Sequence, residues 1–312
     1  MAGPTPWRKK YPALARFARN RVAVVAACII FMLLITAALG SLIYRVNPAT
    51  INEELISEPI PPGNLAYLMG TDYQGRDMLA RLLAGAQISL AVGLVSCMIN
   101  LIIGVGVGVI AGWGASIDTP MGKTIDTTLM RGVDILQSLP LLLVVILLQI
   151  FVRPLLDLQS GGRSNLPLLL SPDLISIYIA LGFTNWLTMA RLTRGEVMNQ
   201  YRLDYVLAAK ALGQRNRWIL FRHILPNCVG PLAVAATLAI PEAIFVESFL
   251  AFVGIGVSAP QASWGTMASD GLQFLNIAPH LLILPALAIS ITMLSFNLFG
   301  DGLRDALDPS SR

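Results

Sequence analysis

A chain of 312 residues that is 55% hydrophobic and only 13% charged lies far from the roughly 25% charged residues of soluble domains. Its mean hydropathy of +0.68 excludes a soluble enzyme, a nucleic-acid binder and a disordered chain. The pI of 9.1 is therefore read as membrane topology, because Lys and Arg collect on the cytoplasmic side of membrane proteins. Charge-free runs of 23 residues (22–44), 36 (82–117) and 30 (271–300) each exceed the ~20 apolar residues that a helix needs to cross a bilayer.

Ending candidate helices at charges and Pro/Gly clusters predicts an all-α, polytopic membrane protein with six transmembrane helices. They fall at about 22–44, 87–112, 135–152, 174–190, 228–252 and 279–300. The first follows basic residues, as a signal peptide would, but its 23 apolar residues exceed the usual 7–15 of a signal core, so a retained helix is expected. Six crossings put both termini on one side. Taking that side as inside, the inner segments hold 17 of the 22 Lys and Arg, and the outer ones only Arg45, Arg76, Arg81, Arg153 and Arg163. Both termini are then cytoplasmic. The expected division is a cytoplasmic tail (1–21), a first helix (22–44) and an extracytoplasmic loop (45–86). A five-helix core (87–300) with a cytoplasmic loop at 192–226, and a cytoplasmic tail (301–312), follow.

In the outer loop, Thr71 or Asp72 is a plausible N-cap of the helix leading into the second span, and Asp72 and Arg76 are spaced to pair at i, i+4. The second span carries Gly104, Gly108 and Gly112, a small-residue ridge suited to close helix packing. Cys28, Cys97 and Cys228 have no metal spacing and read as small core residues. The stretch 153–173 receives no role.

The cytoplasmic loop 192–226 is longer than a connection requires. At helical spacing, Tyr205, Ala208, Ala209 and Leu212 share a face of one short helix, which Gly213 can end with a left-handed turn. Trp218, Phe221 and Leu225 share a face of a second helix, with Arg215 and Arg222 on another side, and that helix stops at Pro226. Such a hairpin either lies on the anionic inner leaflet or fits a groove in a cytoplasmic partner. Alanine on the contact face favours the partner.

Ionisable residues within spans are costly and mark cavities or partners, which makes Glu242 and Glu247 possible pore or gate residues. Five positions apart, they point about 140° from one another and do not form one carboxylate pair. Asn100 and Asn185 are expected to bond between helices. No catalytic constellation, metal spacing or phosphate loop is present, so the chain is read as a non-enzyme.

The run Leu207-Ala208-Ala209-Lys210-Ala211-Leu212-Gly213, nine residues, then His223-Ile224-Leu225-Pro226 resembles the EAA loop of ABC importer permeases. That pattern is Glu-Ala-Ala-x3-Gly, nine residues, Ile-x-Leu-Pro. Leu207 stands where the pattern has Glu and His223 where it has Ile. Either the carboxylate contact is absent or Asp204, one turn upstream, supplies it. Gly70-Thr71-Asp72, Gly75-Arg76-Asp77 and the run Gly300 to Pro309 are similar to the dipeptide, oligopeptide and nickel permeases. The runs Arg222 to Asn227 and Glu247 to Leu250 look closest to the oligopeptide "C" branch.

The resemblance implies a type I (MetI-like) permease in a bacterial cytoplasmic membrane, moving peptides, or else nickel or another small solute. It implies a second homologous permease, two cytoplasmic ATPases that bind ATP and Mg, and an extracytoplasmic peptide-binding protein. No cofactor is expected in this chain. Asp204, Ala208, Ala209, Gly213, Trp218, Phe221 and Pro226 become the coupling site, with the two Ala as docking surface, Gly213 as turn and Pro226 as the break before the fifth span. On that reading Gly213→Pro or Ala209→Arg stops uptake and leaves the subunit in the membrane. A stand-alone ion-coupled transporter is the competing class, and it would need an internal repeat and midplane charges.

Overall fold

The computed structural model describes residues 12–117, 119–160 and 168–307; the outer parts of both expected tails and much of the 153–173 stretch, Arg163 included, lie outside them. Helix α1 (Pro12–Phe17) leads to Asn20, whose side chain accepts the Ala23 N–H at 3.2 Å and so caps α2 (Arg21–Ile43). Helix α2 buries Ala23, Ala26, Ile30, Ala37 and Gly40, a narrow stripe of mostly small side chains. Its remaining faces expose Phe31, Met32 and Leu42, which suits a helix surrounded by lipid. Cys28 is on these outer faces rather than in the core, unlike the buried Cys97 and Cys228.

Helix α3 (Met78–Ser116) runs 39 residues and passes through a π-helical segment at Leu101–Val105. Its N-cap is Asp77, which accepts the Ala80 N–H at 3.0 Å. The expected caps do something else: Asp72 closes the preceding turn by accepting the Gln74 and Arg76 N–H groups at 2.9 Å, and Thr71 takes the Ile60 N–H. Asp72 also pairs with Arg76 at 2.7 Å and with Arg81, which lies 3.6 Å from Asp270. Burial pushes the Asp270 carboxyl above its ordinary pKa, against the pull of Arg81.

Helices α4 (Pro120–Gln137) and α5 (Leu141–Ser160) meet at 87°. The expected third span, 135–152, straddles this bend instead of forming a straight helix. Pro140 lacks an N–H and drives Leu139 out of the helical region. Helix α6 (Pro172–Tyr201) has 30 residues and carries the fourth expected span onward by three turns. Helix α7 (Asp204–Ala211) and α8 (Asn216–Phe252, 37 residues) follow, with π-helical turns over Leu220–Ile224. Helix α9 (Trp264–Leu272) opens with a capping box between Ser263 and Thr266. Its Trp264 is buried and donates its indole N–H to the Leu82 carbonyl at 3.0 Å. Helix α10 (His280–Leu307) is last, so the first part of the expected C-terminal tail is helical.

No named strand occurs among the described residues, only an isolated bridge between Thr71 and Asp77. Helices α2, α3, α8 and α10 are long and apolar enough to cross a membrane, and the bent α4–α5 pair brings the number of candidates to five. The glycine ridge sets the α3–α6 packing. A Cβ on Gly104 would stand 2.6 Å from the Met189 Cβ, one on Gly108 2.5 Å from the Ala190 carbonyl oxygen, and one on Gly112 2.8 Å from that of Arg194. Only glycine lets the two backbones meet so closely.

Candidate coupling hairpin and translocation cavity

The hairpin grows directly from α6 through a two-residue link, Arg202 and Leu203. Helix α7 closes with Gly213 at φ +73°. The Gln214 N–H bonds the Ala209 carbonyl at 3.1 Å, the six-to-one closure that a left-handed glycine permits. The His223 ring meets the Gln214 side chain at 2.9 Å, so the residue standing where the pattern has Ile ties the turn to the second arm.

The sequence-derived site separates into two sets. Asp204, Ala208, Trp218, Phe221 and Pro226 are exposed, and with them Leu207 and Leu212. Ala209 is 5% exposed and packs inward with Val206, Ile219 and Ile224. The four positions expected on one face of α7 therefore divide: Ala208 and Leu212 point outward, Ala209 inward. Pro226 is no break. The helix continues through it, because the π-helical turns just before it widen the backbone where the ring would strike the carbonyl one turn back. Asn227 then donates its side-chain amide to the His223 carbonyl at 2.7 Å. Exposed apolar Leu207, Leu212, Trp218 and Phe221 beside exposed Arg215, Arg217 and Arg222 make an apolar face with a basic rim.

Two ion pairs that residue-by-residue reading missed anchor the base of α6. Arg194 grips Asp126 through Nε and Nη2 at 2.5 and 2.7 Å, and Arg191 meets Asp134 at 2.5 Å. Donating to the Asp126 carboxylate holds Arg194 further into its charged form. The signal was available: Arg at i, i+3 on one helix facing Asp at i, i+8 on another.

Above the hairpin lies a cavity of about 450 Å³. The α4–α5 bend supplies Leu139 and Leu141, α6 supplies Thr184, Asn185 and Thr188, and α8 supplies Ala235, Leu238 and Glu242. Asn100 of α3 completes the wall, with its Oδ1 free of any hydrogen bond. Asn100 and Asn185 thus line the cavity in place of the expected bonding between helices. Glu242 lines it too, whereas Glu247 is wholly buried between α3 and α9, where Ser89 Oγ reaches its Oε2 at 3.4 Å and accepts the Trp264 N–H at 3.2 Å. A largely apolar recess with a few amide, hydroxyl and carboxylate groups can hold a polar solute loosely.

This architecture defines a helical, multi-pass membrane protein. Two inward-facing crystal forms of the MetNI methionine ABC transporter share the fold, with TM-scores of 0.55 and 0.56 at 19% and 20% identity. They cover 72% and 74% of this chain and 94% and 98% of theirs. The family model for the binding-protein-dependent transport system inner membrane component matches residues 104–312, and that for the N-terminal TM domain of oligopeptide transport permease C matches residues 5–62. The oligopeptide transport system permease protein OppC of Bacillus subtilis is 41% identical over 96% of this chain and 89% of its own length. The dipeptide transport system permease protein DppC of Escherichia coli is 40% identical over 99% of this chain and 96% of its own. The chain belongs to the binding-protein-dependent transport inner membrane components, and is a multi-pass transmembrane subunit of an ABC importer.

Proposed function

We propose that this subunit moves peptides inward across a bacterial cytoplasmic membrane, crossing it six times with both termini cytoplasmic. The bent α4–α5 pair would be the third crossing and residues 174–190 of α6 the fourth. Two cytoplasmic ATPases, which bind ATP and Mg, would dock on the hairpin; a second, homologous permease would face the cavity; an extracytoplasmic peptide-binding protein would meet the outer loops. This chain would hold no cofactor. When the ATPases close, the hairpins of the two permeases are drawn together, and the helices shift between inward- and outward-open populations with different contacts in each.

The observation that carries this reading is the hairpin: an exposed apolar face with a basic rim, rooted in the same helix that lines the cavity. The peptide assignment is supported by the relatives' names at 41% and 40% identity. Its test is purification with the partner chains followed by proteoliposome uptake. The complex should retain ATPase chains and accumulate peptide only with ATP and the binding protein. Uptake by this chain alone would refute the reading, and ATP-driven uptake of a nickel complex with no peptide transport would replace the substrate class.

A further inference from the structure

The hairpin joins α6 through only Arg202 and Leu203, both exposed. Left to itself such a link is a hinge, and a push on Ala208 would bend it before moving anything in the membrane. The structure braces it. Lys210, on the last turn of α7, places its Nζ 3.6 Å from the centre of the Tyr201 ring. Tyr201 is the last residue of α6, and its ring in turn meets Trp113 of α3 edge to face, with centroids 5.6 Å apart at 82°. A parallel tie runs from the Tyr205 hydroxyl to the side-chain Oε1 of Gln200 at 2.7 Å. Unlike the exposed basic rim of the hairpin, Lys210 is half-buried against this ring. An ammonium over an aromatic face is attracted by the ring quadrupole, most strongly when partly desolvated.

We propose that Lys210, Tyr201 and Trp113 form a strut that makes the hairpin, α6 and α3 move as one body, so that Lys210 is a positioning residue for coupling. The strut ends on the two helices that the glycine ridge already fuses, and those helices carry Thr188 and Asn100 into the cavity wall. A displacement of the docking face then reaches the cavity as a rigid rotation. This inference rests on the docking role of the hairpin.

The experiment uses the complete importer in proteoliposomes and reads three quantities: ATPase chains retained, ATP hydrolysed, and peptide moved per ATP. Lys210→Met keeps the aliphatic stem and removes the cation; Tyr201→Leu removes the ring. Each should retain the ATPases and hydrolyse ATP, yet move roughly three- to tenfold less peptide per ATP, the scale of one desolvated cation–ring contact. Lys210→Arg and Tyr201→Phe should restore the ratio. The double variant Lys210→Met/Tyr201→Leu should be no worse than Tyr201→Leu alone, because loss of the ring already abolishes the cation–ring contact. A wild-type ratio in Lys210→Met, failure of Lys210→Arg to rescue, or multiplicative losses in the double variant would each overturn the strut. Loss of the ATPases in Lys210→Met alone would place Lys210 in the docking surface and also overturn it. A wild-type complex that retains no ATPases would instead overturn the docking reading beneath it.

Discussion

Gly108 faces the Ala190 carbonyl oxygen so closely that a Cβ would lie 2.5 Å from it, whereas Gly106, two residues earlier, has nothing within 4 Å. Side-chain volume should therefore be tolerated at one and refused at the other. Gly108→Leu is expected to cost about 3 kcal/mol or more through overpacking, while Gly106→Ala should be neutral or stabilising by up to ~1 kcal/mol. Thermal melting of the detergent-solubilised protein, followed by gel filtration, distinguishes them. Between α2 and α3, Asp72 pairs with both Arg76 and Arg81, all three buried. Removing that carboxylate leaves buried Arg76 without its ion pair and Arg81 with only the longer contact to Asp270, so Asp72→Ala should destabilise by about 3–5 kcal/mol. The same melting experiment should place it well below Asp270→Ala, whose carboxylate is 40% exposed and 3.6 Å from Arg81.

For the hairpin as an element, the opposite burial of its two alanines revises which substitution probes docking. Ala209 sits inside with Val206 and Ile224, so Ala209→Arg forces a charge into the hairpin's own core and should lower the amount of folded subunit. Ala208→Arg adds a charge to an exposed face, and should leave the fold intact while reducing retained ATPase chains by at least about tenfold, in line with a misplaced charge at an interface. Quantitative pull-down of the complex beside a fluorescence measure of folded subunit separates the two. Gly213→Pro acts by a third route: proline fixes φ near −65°, and the turn requires +73°.

Across the whole molecule, cysteine labelling tests the topology. With Cys28, Cys97 and Cys228 replaced, Asn64→Cys should react with an impermeant maleimide on intact cells, and Arg202→Cys only in inside-out vesicles; the reverse pattern would invert the chain. Hydropathy exposed α2, α3, α8 and α10 because lipid contact is a local property of each segment, and Gly213 announced its turn because a left-handed residue has few chemical solutions. The bend at 138–140 was concealed by the absence of charge around it, although Pro140 stood in plain view. The helix running on through Pro226 was hidden since a π-helical widening leaves no mark in composition. Ala208 and Ala209 looked alike because a methyl group suits either side of a hairpin, and the contact of Lys210 with Tyr201 depends on how two helices fold across a link. The π-helical segments at 101–105 and 220–224 have a further effect. Each holds one residue more than an α-helix of equal rise, and one residue is worth 100° of turn. They set the phase between the C-terminal end of α3 and the N-terminal end of α8 and the faces that Asn100 and Glu242 turn to the cavity. A single inserted or deleted residue at either place changes aim by about 100° and length by only about 1.5 Å, so the cavity lining can be re-pointed while each helix keeps its reach.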